Sequence, residues 1–146
     1  MPASAAPALQ AIYVRLPNWV GDVCMSLPSL DAVLSTGVPV VACARPWARD
    51  LLSAYELAGF VPMAGNWRAD RGAVHAWRKK SRHARAAGLL LPDSLSSAMV
   101  FRFAGVPSAG YRDDGRSLIL RWPLAKPRAP MHAVQSWFHL TLHALG

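Results

Sequence analysis

Short apolar runs alternate along this chain with longer stretches in which apolar residues recur every three or four positions. The runs predict strands at residues 11–16, 38–42, 59–62 and 88–91, with weaker strand patterns at 106–111 and 118–120. The longer stretches predict helices at about 20–37, 46–57, 69–86, 94–104 and 131–145. Strands and helices in alternation predict an α/β fold, with a Rossmann-like parallel sheet and helices on both of its faces.

Prolines modify this pattern at two places. Pro28 falls inside the first predicted helix, where it is expected to kink or restart the helix because it has no N–H group. The segment 123–130 contains three prolines and two basic residues and is predicted to be a connector. The last helix has one apolar stripe that is expected to face the core, formed by Val134, Phe138, Leu142 and Leu145.

Composition narrows the class of protein. A chain of 146 residues, 53% hydrophobic and 16% charged, fits one folded domain and excludes a disordered or fibrous protein. Sixteen Lys and Arg against eight Asp and Glu give a formal charge of +8, so an anionic partner is expected. Two cysteines, no signal-peptide pattern and no apolar run of about 18 residues favour a reducing, cytoplasmic location, with at most a peripheral contact to a membrane.

A candidate catalytic carboxylate follows the first predicted strand. In open parallel sheets, sites form where strands end and helices begin, and Gly21-Asp22 lies at such a junction. Gly21 permits a tight turn or the close approach of another molecule, and the helix dipole favours the ionised form of Asp22. Asp22 therefore either takes a proton from an attacking hydroxyl or simply caps its helix, and the spacing alone leaves both interpretations open.

Four blocks in order resemble the family 9 glycosyltransferases. Residues 15–23 (RLPNWVGDV), followed by LPSL at 27–30, are similar to the family's opening, most of all in the heptosyltransferase II group of lipopolysaccharide inner-core assembly. The other blocks are LLLPDSLSSA at 89–98, the glycine-tyrosine-arginine turn at 110–116 and the closing helix that begins HAVQ at 132. Asp93 stands where the closer relatives are expected to have Asn, and Trp137 where the family often has Tyr.

The resemblance implies the amino-terminal half of a GT-B enzyme, which transfers heptose from ADP-heptose to the lipopolysaccharide core with inversion. It implies that Asp22 is the general base and that no cofactor is needed. It also implies that a carboxyl-terminal nucleotide-sugar domain, absent from these 146 residues, binds most of the donor, so that this chain alone is expected to be inactive. The substrate-binding positions that it implies are Asn18, Trp19, Gly21, Asp93, Ser94, Ser96 and Arg112.

A basic segment in the third predicted helix suggests a second contact. Arg78, Lys79 and Arg82 are either a solvated helix surface or a site for a phosphorylated glycolipid acceptor and the inner-leaflet membrane surface. The resemblance favours the second interpretation, because the family's acceptor is a phosphorylated glycolipid. Trp67 and Trp77 are expected to pack on the core.

Two other classes of function compete with this interpretation. A non-catalytic basic module would bind anionic lipid or nucleic acid, but no helix-turn-helix, RNP or zinc-finger pattern is present, so no nucleic-acid partner is expected. An oxidoreductase domain would need G-x-G-x-x-G in the first loop, where Gly21 is the only glycine. The histidines and cysteines lack metal-ligand spacing, so no metal is expected.

Overall fold

The computed structural model describes residues 9–92, 94–111, 118–125 and 133–145. Its strands are β1 (Ala11–Arg15), β2 (Val40–Ala44), β3 (Gly59–Pro62), β4 (Ala86–Leu90), β5 (Ser108–Tyr111) and β6 (Trp122–Leu124). Its helices are α1 (Val20–Leu34), α2 (Ala48–Leu51), α3 (Trp67–Lys80), α4 (Leu95–Phe103) and α5 (Ala133–Leu145).

The six strands form one parallel sheet in the order β3-β2-β1-β4-β5-β6. The chain moves outward from β1 to β3, then crosses back beside β1 to begin β4. Loops that leave β1 and β4 therefore diverge to opposite sides and open a crevice at the carboxyl edge, where ligands bind in folds of this type. The predicted α/β class and parallel sheet are confirmed.

Two apolar layers sandwich the sheet, because alternate residues of each strand point to opposite faces. Ile12 and Val14 belong to the layer that includes α1, α2 and α5. Tyr13 and Phe101 belong to the layer of α3 and α4. All five residues of β1, β2 and β4 are buried, which explains why these strands are apolar runs in the sequence, apart from Arg15 at the end of β1.

Several predicted boundaries were wrong. The second helix ends at Leu51 and does not reach 57, because the chain continues through tight turns with bonds from Ser53 N–H to Asp50 and from Tyr55 N–H to Leu52. Residues 118–120 form no strand, and Leu118 is 90% exposed. The strand lies instead at β6, inside the proline-rich segment and at the edge of the sheet. Pro123 has no N–H group to donate, and an edge strand tolerates this loss because one of its sides has no partner strand.

The remaining helices differ in detail from the patterns. α1 runs unbroken through Pro28. α3 ends before 86, because Arg82 adopts a left-handed conformation with φ 57°, and Ala86 begins β4. In α5, Phe138 and Leu142 are exposed, whereas the buried face contains Leu140, Thr141 and Ala144.

The two tryptophans of α3 pack on the core as predicted. Trp77 lies over Gly59, where an added Cβ would come within 2.3 Å of its ring. Trp67 packs in the α3–α4 layer, with its ring centroid 6.1 Å from that of Phe103.

Candidate active site

The crevice at the carboxyl edge is formed by the segments that follow β1, β2, β3 and β4. A small pocket of about 70 Å³ lies between the ends of β1, β3 and β4, and a groove of about 350 Å³ lies between the ends of β1 and β2. Asn18 lines both, so the two spaces meet at the β1–α1 loop. The structure thus brings the predicted Asn18, Trp19, Ser94 and Ser96 to one edge of the sheet.

The amino end of α1 is open, unlike those of its neighbours. Trp19 occupies the N-cap position and provides no side-chain hydrogen bond to the first turn. By contrast, Asn66 caps α3 by accepting from Arg68 and Ala69 N–H, and Ser94 caps α4 by accepting from Ser97 N–H. In the part of the chain that the structure describes, the first N–H groups of α1 therefore have no side-chain cap and can meet an anionic or polar ligand.

Asp22 lies in the first turn of this open helix and is half-exposed. Its carboxylate makes no hydrogen bond or ion pair within the described parts of the chain. The capping interpretation is therefore excluded, since Trp19 holds the cap position and Asp22 lies three residues further on. A half-exposed carboxylate without a protein partner is free to accept a proton from a bound hydroxyl.

Gly21 faces open space at the start of α1. An added Cβ would meet nothing within 4 Å, and its backbone does not require glycine. Of the two roles predicted for Gly21, open space for another molecule agrees with this geometry. Trp19 and Val20 beside it are 74% and 58% exposed, so the surface before Asp22 is accessible and apolar.

The small pocket contains a buried cation and a buried carboxylate. Arg15, the last residue of β1, donates to Leu16 O and, over 2.7 Å, to Asn18 Oδ1. Burial lowers the pKa of Arg15, while the nearby Asp70 acts in the opposite direction. The Asp70 carboxylate accepts from Ala64 and Gly65 N–H at 2.7 and 3.2 Å, which fixes the β3–α3 loop.

The serine-rich start of α4 closes the pocket on its other side. Ser94 Oγ accepts from Ser97 N–H at 3.3 Å, and Ser97 Oγ donates to Ser94 O at 2.8 Å. Ser96 is exposed, and among the described residues its hydroxyl makes one long hydrogen bond, which it donates over 3.4 Å to Ser94 Oγ. Ser94 is thus a helix cap, whereas Ser96 has a hydroxyl available for a ligand.

The basic residues predicted as binding groups lie elsewhere. Arg78, Lys79 and Arg82 stand at the carboxyl end of α3, which leads into the amino end of β4, so they are at the opposite edge of the sheet from Asp22. Arg78 donates to the carbonyls of His83, Ala84 and Ala104 at 3.0, 3.2 and 3.4 Å, which ties α3 to α4. One small ligand therefore cannot contact this cluster and Asp22 together.

Two predicted site residues, Asp93 and Arg112, lie outside the described residues. Within the described residues, no three His, Cys, Asp or Glu side chains are grouped to hold a metal ion. No helix in the same parts of the chain is long and apolar enough to cross a membrane.

The sequence analysis missed Arg45, Trp47 and Asp70 as residues of this edge. Arg45 directly follows β2, as Asn18 follows β1, so the rule that sites form at strand ends indicates it equally well. Asp70 gave no signal, because an acidic residue in the first turn of a helix is common.

Comparisons with known proteins point to one family. Residues 74–146, half of the chain, match the model of glycosyltransferase family 9 (heptosyltransferase). Lipopolysaccharide heptosyltransferase 2 of Escherichia coli K12 is 35% identical over 136 residues, covering 80% of this chain and 38% of that protein.

Solved structures extend the match over most of the fold. The structure of E. coli ADP-heptose lps heptosyltransferase II superposes with a TM-score of 0.71 at 30% identity, over 90% of this chain and 40% of that one. The family 9 glycosyl transferase from Veillonella parvula DSM 2008 gives a TM-score of 0.72 at 12% identity, over 94% and 41%, and shows the shared fold alone. The chain spans about two fifths of the length of these relatives. The family-model match, which covers half of the chain, shows that the chain belongs to glycosyltransferase family 9.

Proposed function

We propose that this chain forms the acceptor-side domain of an inverting glycosyltransferase that transfers heptose from ADP-heptose to the inner core of lipopolysaccharide. Asp22 is the general base of the transfer. The names of the two E. coli relatives support this choice of donor and acceptor, and membership of family 9 supports the reaction class. The family match begins at residue 74, so the case for Asp22 depends on its own geometry.

The observation that supports the proposal best is the Asp22 carboxylate itself. It stands in the first turn of an uncapped helix at the carboxyl edge, beside exposed apolar surface, and no described protein group neutralises it. An inverting transfer in one displacement needs a base that removes the proton of the attacking acceptor hydroxyl while the donor's leaving group departs on the opposite side. Asp22 supplies that base, and positioned acid-base groups of this kind contribute roughly 10²–10⁴-fold in rate.

The donor and the stereochemistry are tested together. The complete reading frame that encodes residues 1–146 is expressed, and the protein is incubated with ADP-heptose and a lipopolysaccharide core acceptor. The product is identified by its mass, and NMR gives the configuration of its new anomeric carbon. We expect a mass increase of one heptose and an anomeric configuration opposite to that of the donor. Retention of configuration would exclude a single displacement and with it the role given to Asp22.

A contact with the membrane surface is also proposed, at the layer formed by α3 and α4. These helices contain six basic residues, Arg68, Arg71, Arg78, Lys79, Lys80 and Arg102. Their single acidic residue, Asp70, is buried. On the other face, α1 and the described side chains of α5 include no Lys or Arg, and α2 has one basic and one acidic residue, Arg49 and Asp50. Such one-sided charge favours an anionic bilayer against α3 and α4, with roughly 1 kcal/mol from each basic residue near the surface.

Co-sedimentation with vesicles tests this contact. Lys79→Glu is compared with Arg49→Glu, because both residues are exposed but Arg49 lies in α2 on the other face of the sheet. We expect Lys79→Glu to weaken binding to phosphatidylglycerol vesicles in a salt-sensitive way and Arg49→Glu to leave it nearly unchanged. Equal effects of the two variants would show a non-specific charge effect and contradict the proposed contact. Stronger binding to RNA than to vesicles would favour a non-catalytic basic module that binds nucleic acid.

A further inference from the structure

The groove between β1 and β2 has the composition of a binding site. It is lined by Asn18, Trp19, Val20, Arg45 and Trp47, and its volume of about 350 Å³ falls within the roughly 300–1,000 Å³ of small-molecule sites. Trp19 and Trp47 are 74% and 38% exposed, an unusual state for two neighbouring indoles. Their flat apolar faces suit the C–H faces of a sugar ring.

Arg45 supplies the charge of this groove. Its guanidinium is half-buried and makes no hydrogen bond or ion pair within the described residues. Arg15 differs from Arg45, because its guanidinium donates hydrogen bonds to Leu16 O and Asn18 Oδ1. A free guanidinium presents donors in a planar fork that matches a carboxylate or a phosphate.

The fold holds Arg45 in place without using its donors. The guanidinium lies against Gly65, where an added Cβ would come within 2.5 Å of Nη1, and Gly65 has a left-handed φ of +91°. Asp70 fixes this loop through the N–H groups of Ala64 and Gly65. Gly65 and Asp70 are therefore positioning residues, and an arginine that is packed in advance loses less entropy on binding.

The groove also reaches the first turn of α1, the turn that contains the proposed base. Trp19 and Val20 line it, and Asp22 follows within the same helical turn, whose pitch is about 5.4 Å. A sugar seated on the tryptophans would present its hydroxyls towards the first turn of α1.

We infer that the groove of Trp19, Arg45 and Trp47 is the acceptor subsite for an anionic sugar, whose carboxylate or phosphate is bound by Arg45. This assignment rests on the proposed function, because it names the acceptor group that Asp22 would deprotonate. It also predicts that a neutral sugar binds poorly, since only the tryptophan faces would hold it.

Indole N–H signals in two-dimensional NMR test the subsite directly. Glucose 6-phosphate, glucuronate, glucose and inorganic phosphate are titrated separately into the protein, with the signals assigned through Trp19→Phe and Trp47→Phe. We expect one or both anionic sugars to shift the Trp19 and Trp47 signals saturably, and to leave those of the buried-side Trp67 and Trp77 in place. The stronger of the two identifies phosphate or carboxylate as the group recognised.

The matched variants are Arg45→Ala and Arg49→Ala, since Arg49 is a nearby arginine that packs on the Phe60 ring outside the groove. Arg45→Ala should weaken binding of the preferred sugar roughly ten- to hundredfold, and Arg49→Ala should not. Equal affinity of both variants, no saturable shift in the wild type, or equal binding of glucose or inorganic phosphate would overturn the assignment. If the protein transfers heptose but no sugar binds in the groove, the subsite assignment is refuted and the proposed function stands. If an anionic sugar binds in the groove but no heptose is transferred, the proposed function is refuted and the groove remains a binding site.

Discussion

An introduced helix cap provides the sharpest physical test of the open amino end of α1. Trp19 has φ −115° and ψ 145°, the extended conformation that an N-cap serine adopts, but its side chain caps nothing. Replacing Trp19 by Ser places a hydroxyl oxygen where it can accept from the free N–H groups of the first turn. Since Trp19 is 74% exposed, its removal costs little buried surface.

The expected gain is worked from the difference between two variants. A serine cap stabilises relative to alanine by about 0.5–2 kcal/mol, typically about 1. Trp19→Ser should therefore unfold at a temperature roughly 2–4 °C above that of Trp19→Ala in a chain of this size. Urea denaturation followed by circular dichroism at 222 nm gives the free energy of unfolding of both variants.

The control is the helix that already has a cap. Ser94→Ala should lower the free energy of unfolding by about 1 kcal/mol, because it removes the acceptor of Ser97 N–H at the start of α4. Equal stability of Trp19→Ser and Trp19→Ala, together with the expected loss for Ser94→Ala, would show that the α1 N–H groups are already satisfied. The reasoning about an open ligand-binding end would then be refuted.

Two further predictions concern thiols and pH. Burial raises the pKa of Cys43 to about 12, whereas Cys24 is exposed, so a thiol reagent should modify one cysteine per native chain and two per unfolded chain. Two rapid modifications in the native state would contradict the burial of Cys43. His83 Nδ1 lies 2.8 Å from Tyr13 Oη, and burial lowers the pKa of His83 below its ordinary value of about 6.5. The unfolded chain then binds the proton more readily, so stability should fall as the pH drops below about 6.5, and His83→Gln should flatten this slope in urea titrations at pH 5 to 8. An unchanged slope in His83→Gln would assign the acid sensitivity to other groups.

The central sheet could be predicted because burial on both faces leaves a plain signal in the sequence. β2 and β4 are apolar throughout and β1 is apolar up to Arg15, so their positions and their parallel arrangement follow from composition and spacing. The edge of the sheet gave no such signal. β6 pairs with β5 at the edge and is only partly buried, and its proline made it resemble a connector.

The helix surfaces show a second reason for error. The stripe predicted for α5 counted large apolar residues, but its buried face includes Thr141, whose hydroxyl is satisfied by donating to Trp137 O at 2.8 Å. A polar residue that bonds within its own helix is as easily buried as an apolar one, and the hydrophobic pattern does not register it.

Some residues of the candidate site could be predicted from the sequence and others could not. Asp22, Asn18 and Ser94 lie where a strand gives way to a helix, so the topology rule finds them. Arg78 donates to three carbonyls, whereas the Arg45 guanidinium makes no hydrogen bond within the described residues. Both facts depend on how distant segments pack together, which the sequence does not display. Charge alone made the cluster at the end of α3 the more prominent candidate.

The most direct test of the central claim is the turnover number of Asp22→Asn beside that of Asp31→Asn. Both changes remove one carboxylate from α1, but Asp31 is exposed in a later turn of the helix, away from the crevice. In the complete reading frame, kcat for heptose transfer should fall roughly 10²–10⁴-fold in Asp22→Asn and stay near the wild-type value in Asp31→Asn. A kcat for Asp22→Asn within a few-fold of the wild type would contradict the claim that this carboxylate takes the proton.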